Sequence, residues 1–224
     1  MNIGKLLTKS ARTFPNNRAI AHGSKKLTYA QFNTRTNRLA NALYRLGVQQ
    51  RDNVAVLMYN CPEMLESMFA CFKAGCGAVP INFRLHSRES AFIIDHSGAK
   101  AVIVSPEFNE AITDIRDQIP QTSHIITVSG AGGELLDYET LLATESGQFE
   151  DADVAPDDVA WLFYTSGTTG QSKGAMLTHR NLYLNAYNLI AHLGLCHQDV
   201  ELWTLPMFHC NGWCFPWALA AVAG

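Results

Sequence analysis

The stretch from Trp161 to His179, WLFYTSGTTGQSKGAMLTH, concentrates groups that bind anions. Thr165, Ser166, Gly167, Thr168, Thr169 and Gly170 place four hydroxyls and two glycines in a row, and Lys173 adds an ammonium just beyond them. Glycine reaches positive φ without a steric penalty and lets successive backbone N–H groups approach a ligand, while the hydroxyls and the ammonium supply further donors. Such a set suits a polyphosphate. Two other phosphate loops fail on residues. The dinucleotide fingerprint needs a third glycine in G-x-G-x-x-G leading into a helix, and the Walker loop needs Gly-Lys-[Ser/Thr] where this chain has Ser172-Lys173-Gly174. A polar turn is the plainer alternative, since turns favour Ser, Thr and Gly. The unbroken run of small residues and the closing lysine between Gly170 and Gly174 favour phosphate binding.

A loop of this kind needs rigid flanks. Val159 to Tyr164 is an apolar run before it and Ala175 to Leu177 another after it, which predicts strand, loop, strand. Upstream, Ile3, Leu6, Leu7 and Ala11 recur at helical spacing and stop at Phe14-Pro15. A hairpin is expected around Gly23-Ser24, and Thr28 with Gln31 forms a capping box for a long helix whose stripe is Tyr29, Phe32, Leu39, Leu43 and Leu46. Strands at 53–59, 79–81, 101–105 and 125–128 alternate with helices at 62–74, 89–96 and 111–119. Unbroken apolar strands separated by helices predict an α/β fold, parallel β-sheets sandwiched by helices. The run Glu150, Asp151, Asp153, Asp157 and Asp158, in a stretch without Lys or Arg from 117 to 172, reads as a solvated linker that keeps counter-charge away from the loop. A helix at 179–193 capped by Thr178, a strand at 201–205 and an apolar segment from Met207 to Gly224 complete the pattern.

A second candidate lies in LPMFHCNGW, Leu205 to Trp213. His209 stands in a proline-led apolar setting, where a histidine is as often a hydrogen-bonded core residue as a functional one. YTSGTTGQSKG resembles the phosphate loop of the acyl-adenylating superfamily, which includes acyl-CoA synthetases, insect luciferases and the adenylation domains of peptide synthetases. The family usually has proline before the lysine. Ser172 in its place loosens the unbound loop without removing a donor. LPMFHCNGW resembles the family's next motif, and the two stand in the family's order.

The resemblance covers the whole chain and implies the N-terminal part of an AMP-binding domain, with 1–224 ending before the rest of that domain and before a small C-terminal domain. It implies ATP, Mg²⁺ and coenzyme A as cofactors and co-substrates, and a small carboxylic acid, fatty or otherwise apolar, as substrate. It makes Thr165, Ser166, Gly167, Thr168, Thr169, Gly170 and Lys173 the phosphate cradle, with the Thr165 hydroxyl also offered to Mg²⁺. It places His209, Gly212 and Trp213 along the acyl pocket. It assigns no catalytic residue within the chain, because the family's adenylation lysine, hinge and adenine contacts lie farther on. The isolated polypeptide is therefore expected not to form acyl-AMP at a useful rate. Two alternatives are an adenylation domain with another acceptor and an inactive nucleotide-binding or assembly fragment.

Composition narrows the rest. A chain of 224 residues, 47% hydrophobic, can bury a large core, and a net charge of −3 with scattered Lys and Arg gives no basic field for nucleic acid. Six cysteines without a C-x-x-C pair read as reduced, mostly buried thiols, and His209, Cys210 and Cys214 match no common zinc spacing. The N-terminus has no secretion signal and no run reaches membrane-spanning length, so a cytoplasmic location is expected. The final FPWALAAVAG has no helix stop or polar tail, which reads as an element cut short, with an unpaired sheet edge and apolar surface left exposed.

Overall fold

The computed structural model describes residues 1–165, 171–209 and 214–224. Helix α1 (Lys5–Thr13) turns Leu6 and Leu7 inward, and β1 (Arg18–His22) pairs with β2 (Lys25–Thr28) as a small antiparallel hairpin. Helix α2 (Tyr29–Arg45) starts on the expected capping box: the Thr28 hydroxyl accepts from the Gln31 N–H, and the Gln31 side chain accepts from the Thr28 N–H.

The main sheet begins with β3 (Asn53–Leu57). Pro62 opens α3 (Pro62–Ala74), Gly75 ends it at φ 70, and β4 (Gly77–Pro80) follows. Then come α4 (Ser87–His96), β5 (Ala99–Val104), α5 (Asn109–Asp114), β6 (His124–Thr127), β7 (Leu135–Asp137), α6 (Tyr138–Ala143), β8 (Val159–Thr165), β9 (Lys173–Thr178), α7 (His179–Leu193) and α8 (Phe215–Val222). The order across the seven-stranded sheet is β7-β6-β5-β3-β4-β8-β9, parallel everywhere except the β8/β9 hairpin. Alternation along each strand sorts the core into two layers. Val54, Val56, Ala78 and Ile103 face α2 and α3, whereas Ala55, Leu57, Val79, Val102 and Val104 face Ile93, Ile94 and Ile112 of α4 and α5. The chain leaves β3 for β4 on one side and returns across it to β5 on the other. Sheets that reverse in this way bind ligands outside the carboxyl ends of their strands.

Two expectations need correction. The stretch 201–205 is not a strand: it pairs with no described strand, and Val200 and Leu202 stand 92% and 82% exposed. No described strand lies beside it to take its backbone groups into a ladder. The stretch 130–158 is not a bare linker. It contains β7 and α6, and three acids of the run are engaged. Asp151 pairs with buried Lys73, Asp157 with Arg180, and Asp158 with Arg51, while the Ala152 N–H donates to the Lys73 carbonyl. The final apolar segment forms α8, with Ala223 at φ 60 after its last turn. Among the described strands β9 pairs with β8 alone, and its Met176 is 69% exposed.

Candidate functional site

Across the β8/β9 hairpin, Trp161 faces Leu177, Phe163 faces Ala175, Tyr164 faces Gly174 and Thr165 faces Lys173. The predicted cradle is thus rooted on a directly opposed threonine and lysine, both exposed. Antiparallel pairing fixes that register, because a slip of one residue would send Trp161, which is 1% exposed, to the other face. Ser166, Gly167, Thr168, Thr169 and Gly170 lie outside the described residues, as do Gly212 and Trp213. Among the described residues no carboxylate forms an ion pair with Lys173. The acids that precede the hairpin in sequence are held by Lys73, Arg51 and Arg180.

Glycine at 174 has a steric reason. A Cβ there would come within 3.1 Å of the Leu162 side chain and 3.2 Å of the Tyr164 ring. The Tyr164 hydroxyl lies 2.7 Å from His96 Nδ1 at the end of α4, and the His96 ring stacks on Phe92 with centroids 5.2 Å apart. Burial raises the Tyr164 phenol pKa, so it is protonated at neutral pH. At the far end of β9, Thr178 caps α7 by accepting from the Asn181 N–H, and His179 is wholly buried with its Nδ1 accepting from the Ile3 N–H at 3.2 Å.

The His209 turn is built on the neighbouring strand ends. The His209 N–H donates to the Pro206 carbonyl at 3.0 Å. Asn60, three residues after β3, brackets Pro206: its Nδ2 donates to the Leu205 carbonyl at 2.6 Å and its Oδ1 accepts from the Met207 N–H at 2.8 Å. Phe208 is buried edge-on against Phe83, 4.9 Å between centroids. Phe83 in turn meets Tyr59 at 4.6 Å, and Tyr59 meets Phe108 at 5.1 Å. These rings follow β3, β4 and β5, so the turn sits on the carboxyl edge of the parallel strands. β8 runs parallel to β4 and delivers Thr165 to the same edge.

The structure therefore brings Thr165 opposite Lys173 and places His209, exposed, on the edge they share. Reading the sequence alone missed Asn60 and His96. Their partners lie 145 and 68 residues away, and no local pattern marks either contact. Burial pushes the thiols of Cys61 and Cys76 up to about 12 and that of Cys214 to about 11, so none of the three is a nucleophile at neutral pH. Among the described residues no cluster of three or more His, Cys, Asp or Glu converges on a metal position, and no helix is long and apolar enough to cross a membrane.

A reversing parallel sheet with a hydroxyl- and glycine-rich hairpin on its carboxyl edge has the build of a nucleotide-binding α/β domain. The family model of AMP-binding enzymes matches residues 7–224, and the chain belongs to that family. It is 34% identical over 237 residues to acetate–CoA ligase CCL3 of Humulus lupulus, covering 97% of this chain and 42% of the relative. It is 37% identical over 214 residues to feruloyl-CoA synthase of an Amycolatopsis species, covering 92% of this chain and 39% of the relative. Among solved structures, ATP-bound MatB from Rhodopseudomonas palustris superposes with a TM-score of 0.84 at 30% identity, over all of this chain and 44% of that one. The chain thus spans well under half the length of these proteins.

Proposed function

We propose that this chain supplies the phosphate-binding hairpin and one wall of the acid pocket of an AMP-forming acid–CoA ligase. In this reading Thr165, Ser166, Gly167, Thr168, Thr169, Gly170 and Lys173 hold the β- and γ-phosphates of ATP. An oxygen of the substrate carboxylate bonds to the α-phosphorus as the bond to the bridging oxygen breaks, giving acyl-AMP and pyrophosphate. The thiol of coenzyme A, losing its proton, then takes the acyl group and AMP departs. Nucleotidyl transfer depends on orientation and on neutralising the leaving group's charge, which N–H groups, hydroxyls and one ammonium provide without covalent help.

The observation that carries the reading is the opposition of Thr165 and Lys173 at the mouth of the hairpin, where hydroxyl and ammonium face solvent free of any described acidic partner. Mg²⁺ prefers oxygen ligands and binds mainly through nucleotide phosphates, so a single hydroxyl such as that of Thr165 suits a shared site; bound there, the ion would offset phosphate charge. His209, Gly212 and Trp213 line the acyl side. The relatives' names run from acetate to feruloyl, and the aromatic ladder beneath His209 suits an apolar acid, aliphatic or aromatic.

Reductive methylation of lysines with and without ATP tests the phosphate grip. ATP should protect Lys173 and leave Lys100 reactive; equal modification of Lys173 in both samples overturns the reading. Pyrophosphate release with acetate, butyrate, octanoate, benzoate and ferulate tests the chemistry. Protection without release for any acid would support nucleotide binding without turnover.

A further inference from the structure

We infer that Asn60 is a positioning residue that sets the His209 turn, and that through it the carboxyl end of β3 fixes one wall of the acid pocket. The role assigned to the pocket rests on the function proposed above, whereas the clamp itself rests on geometry alone. Among the described residues, 200–205 have no sheet partner, and Val200, Leu202 and Leu205 are exposed, so regular secondary structure does not hold the approach to the turn. Side chains hold it instead: Phe208 packs on Phe83, Trp203 Nε1 donates to the Leu205 carbonyl, and the Asn60 amide spans Pro206 by donating to Leu205 and accepting from Met207.

The geometry suits one side chain. Pro206 has no N–H, so the polar groups on either side of it are the Leu205 carbonyl and the Met207 N–H, an acceptor followed by a donor. A primary amide presents the complementary donor and acceptor from a single planar group. Aspartate offers only acceptors and alanine neither. Because the His209 N–H closes back onto the Pro206 carbonyl, a shift of Pro206 carries His209 with it. The Phe208 ring fixes depth and the Asn60 amide fixes rotation about it.

The test uses the intact chain without ligand, by amide exchange at Met207 and the ring resonance of His209, assigned with His209→Gln. Asn60→Ala should speed Met207 exchange by about tenfold or more, as expected for losing a side-chain acceptor, and should move the His209 signal while His124 stays in place. Asn60→Asp keeps the Met207 acceptor, so it should retain most of that protection yet still displace His209, because it cannot donate to Leu205. Asn41→Ala is the control, since Asn41 makes a comparable double clamp on the Ser146 and Gln148 carbonyls. It should lower thermal stability without moving Met207 or His209. Unchanged Met207 exchange and an unchanged His209 signal in Asn60→Ala overturn the clamp; if that variant does not fold, an unmoved His209 signal in Asn60→Asp does so.

A second measurement separates the clamp from the reading it serves. A butyryl sulfamoyl-adenosine probe, which mimics a small acyl-AMP, should bind Asn60→Ala about tenfold more weakly than the unaltered chain while ATP affinity changes less than twofold. Parallel losses for both ligands, or no loss for either, overturn the positioning role. If the unaltered chain binds neither ligand, the adenylation reading fails, and the exchange result decides the clamp by itself.

Discussion

The ammonium of Lys73 lies 2.9 Å from a carboxylate oxygen of Asp151, with the lysine wholly removed from water and the aspartate nearly so. Thr8 donates to the other Asp151 oxygen, and Asn33 accepts from the ammonium at 2.9 Å. Burial draws the Lys73 pKa down and Asp151 draws it back up. An acid from a run that looked like open linker is thus the counter-ion of a buried base. Asp151→Ala should cost about 3–5 kcal/mol, because it strands a charge, whereas Lys73→Met with Asp151→Leu should cost far less. Urea unfolding of both variants decides it: equal losses would show that the pair contributes only packing.

Acid should weaken the fold through His179. Burial first, then the nearby N-terminal ammonium, holds its imidazole down to about 4 from the usual 6.5. The unfolded chain therefore takes up this proton at a higher pH than the folded one. The stability it provides is complete above about 6.5, falls as pH drops from there to about 4, and loses nothing further below; the whole effect is about 3 kcal/mol at most. Unfolding free energies of the unaltered chain and of His179→Gln at pH 7.5, 5.5 and 4.5 isolate this contribution from the carboxylates. Parallel pH curves would remove His179 from the account.

Lys173→Ala should weaken ATP binding by roughly 1–3 kcal/mol, the worth of one charged donor to phosphate. Since Lys173 is exposed, the same change should leave unfolding free energy within about 0.5 kcal/mol. Calorimetric titration with ATP, beside urea unfolding, separates the two effects. Lys173→Arg should recover most of the affinity, and failure of both variants to change it would place the phosphates elsewhere.

Gly174→Val should be harmful where Gly174→Ala is mild. An alanine Cβ asks Leu162 and Tyr164 to yield by a few tenths of an ångström, and valine asks for more. Expected costs are about 1 kcal/mol for alanine and roughly 2–3 kcal/mol for valine, in line with overpacking. Melting temperatures of the two variants check the order; a valine variant as stable as the parent would mean that the hairpin opens freely at this point.

Much of this was legible because it was local. The Thr28 and Gln31 box, the apolar runs of β3 and β5 and the bend between β8 and β9 are written within a few residues of where they act. The strands on either side of the bend were legible in their apolar runs, whereas the opposition of Thr165 and Lys173 came only with the register of the pairing. What escaped depends on distant partners. Three residues, Leu135–Asp137, become β7 only because β6 offers an edge. Residues 201–205, with Leu202, Trp203 and Leu205, have apolar residues enough for a strand and form none, because no described strand offers them an edge. Asp151 looked solvated because its lysine is 78 positions earlier, and Asn60 looked like an ordinary residue before a helix.

The contact between Tyr164 and His96 reaches further than its single hydrogen bond. It moors the residue beside the hairpin mouth to the last turn of α4, on the layer opposite α3. A small tilt of that helix would swing Thr165 without altering any group of the proposed phosphate cradle. If the hairpin holds ATP as proposed, substitutions along α4 are a route by which its affinity can drift or be tuned at a distance, and a search for such variants confined to the glycine-rich bend would overlook them.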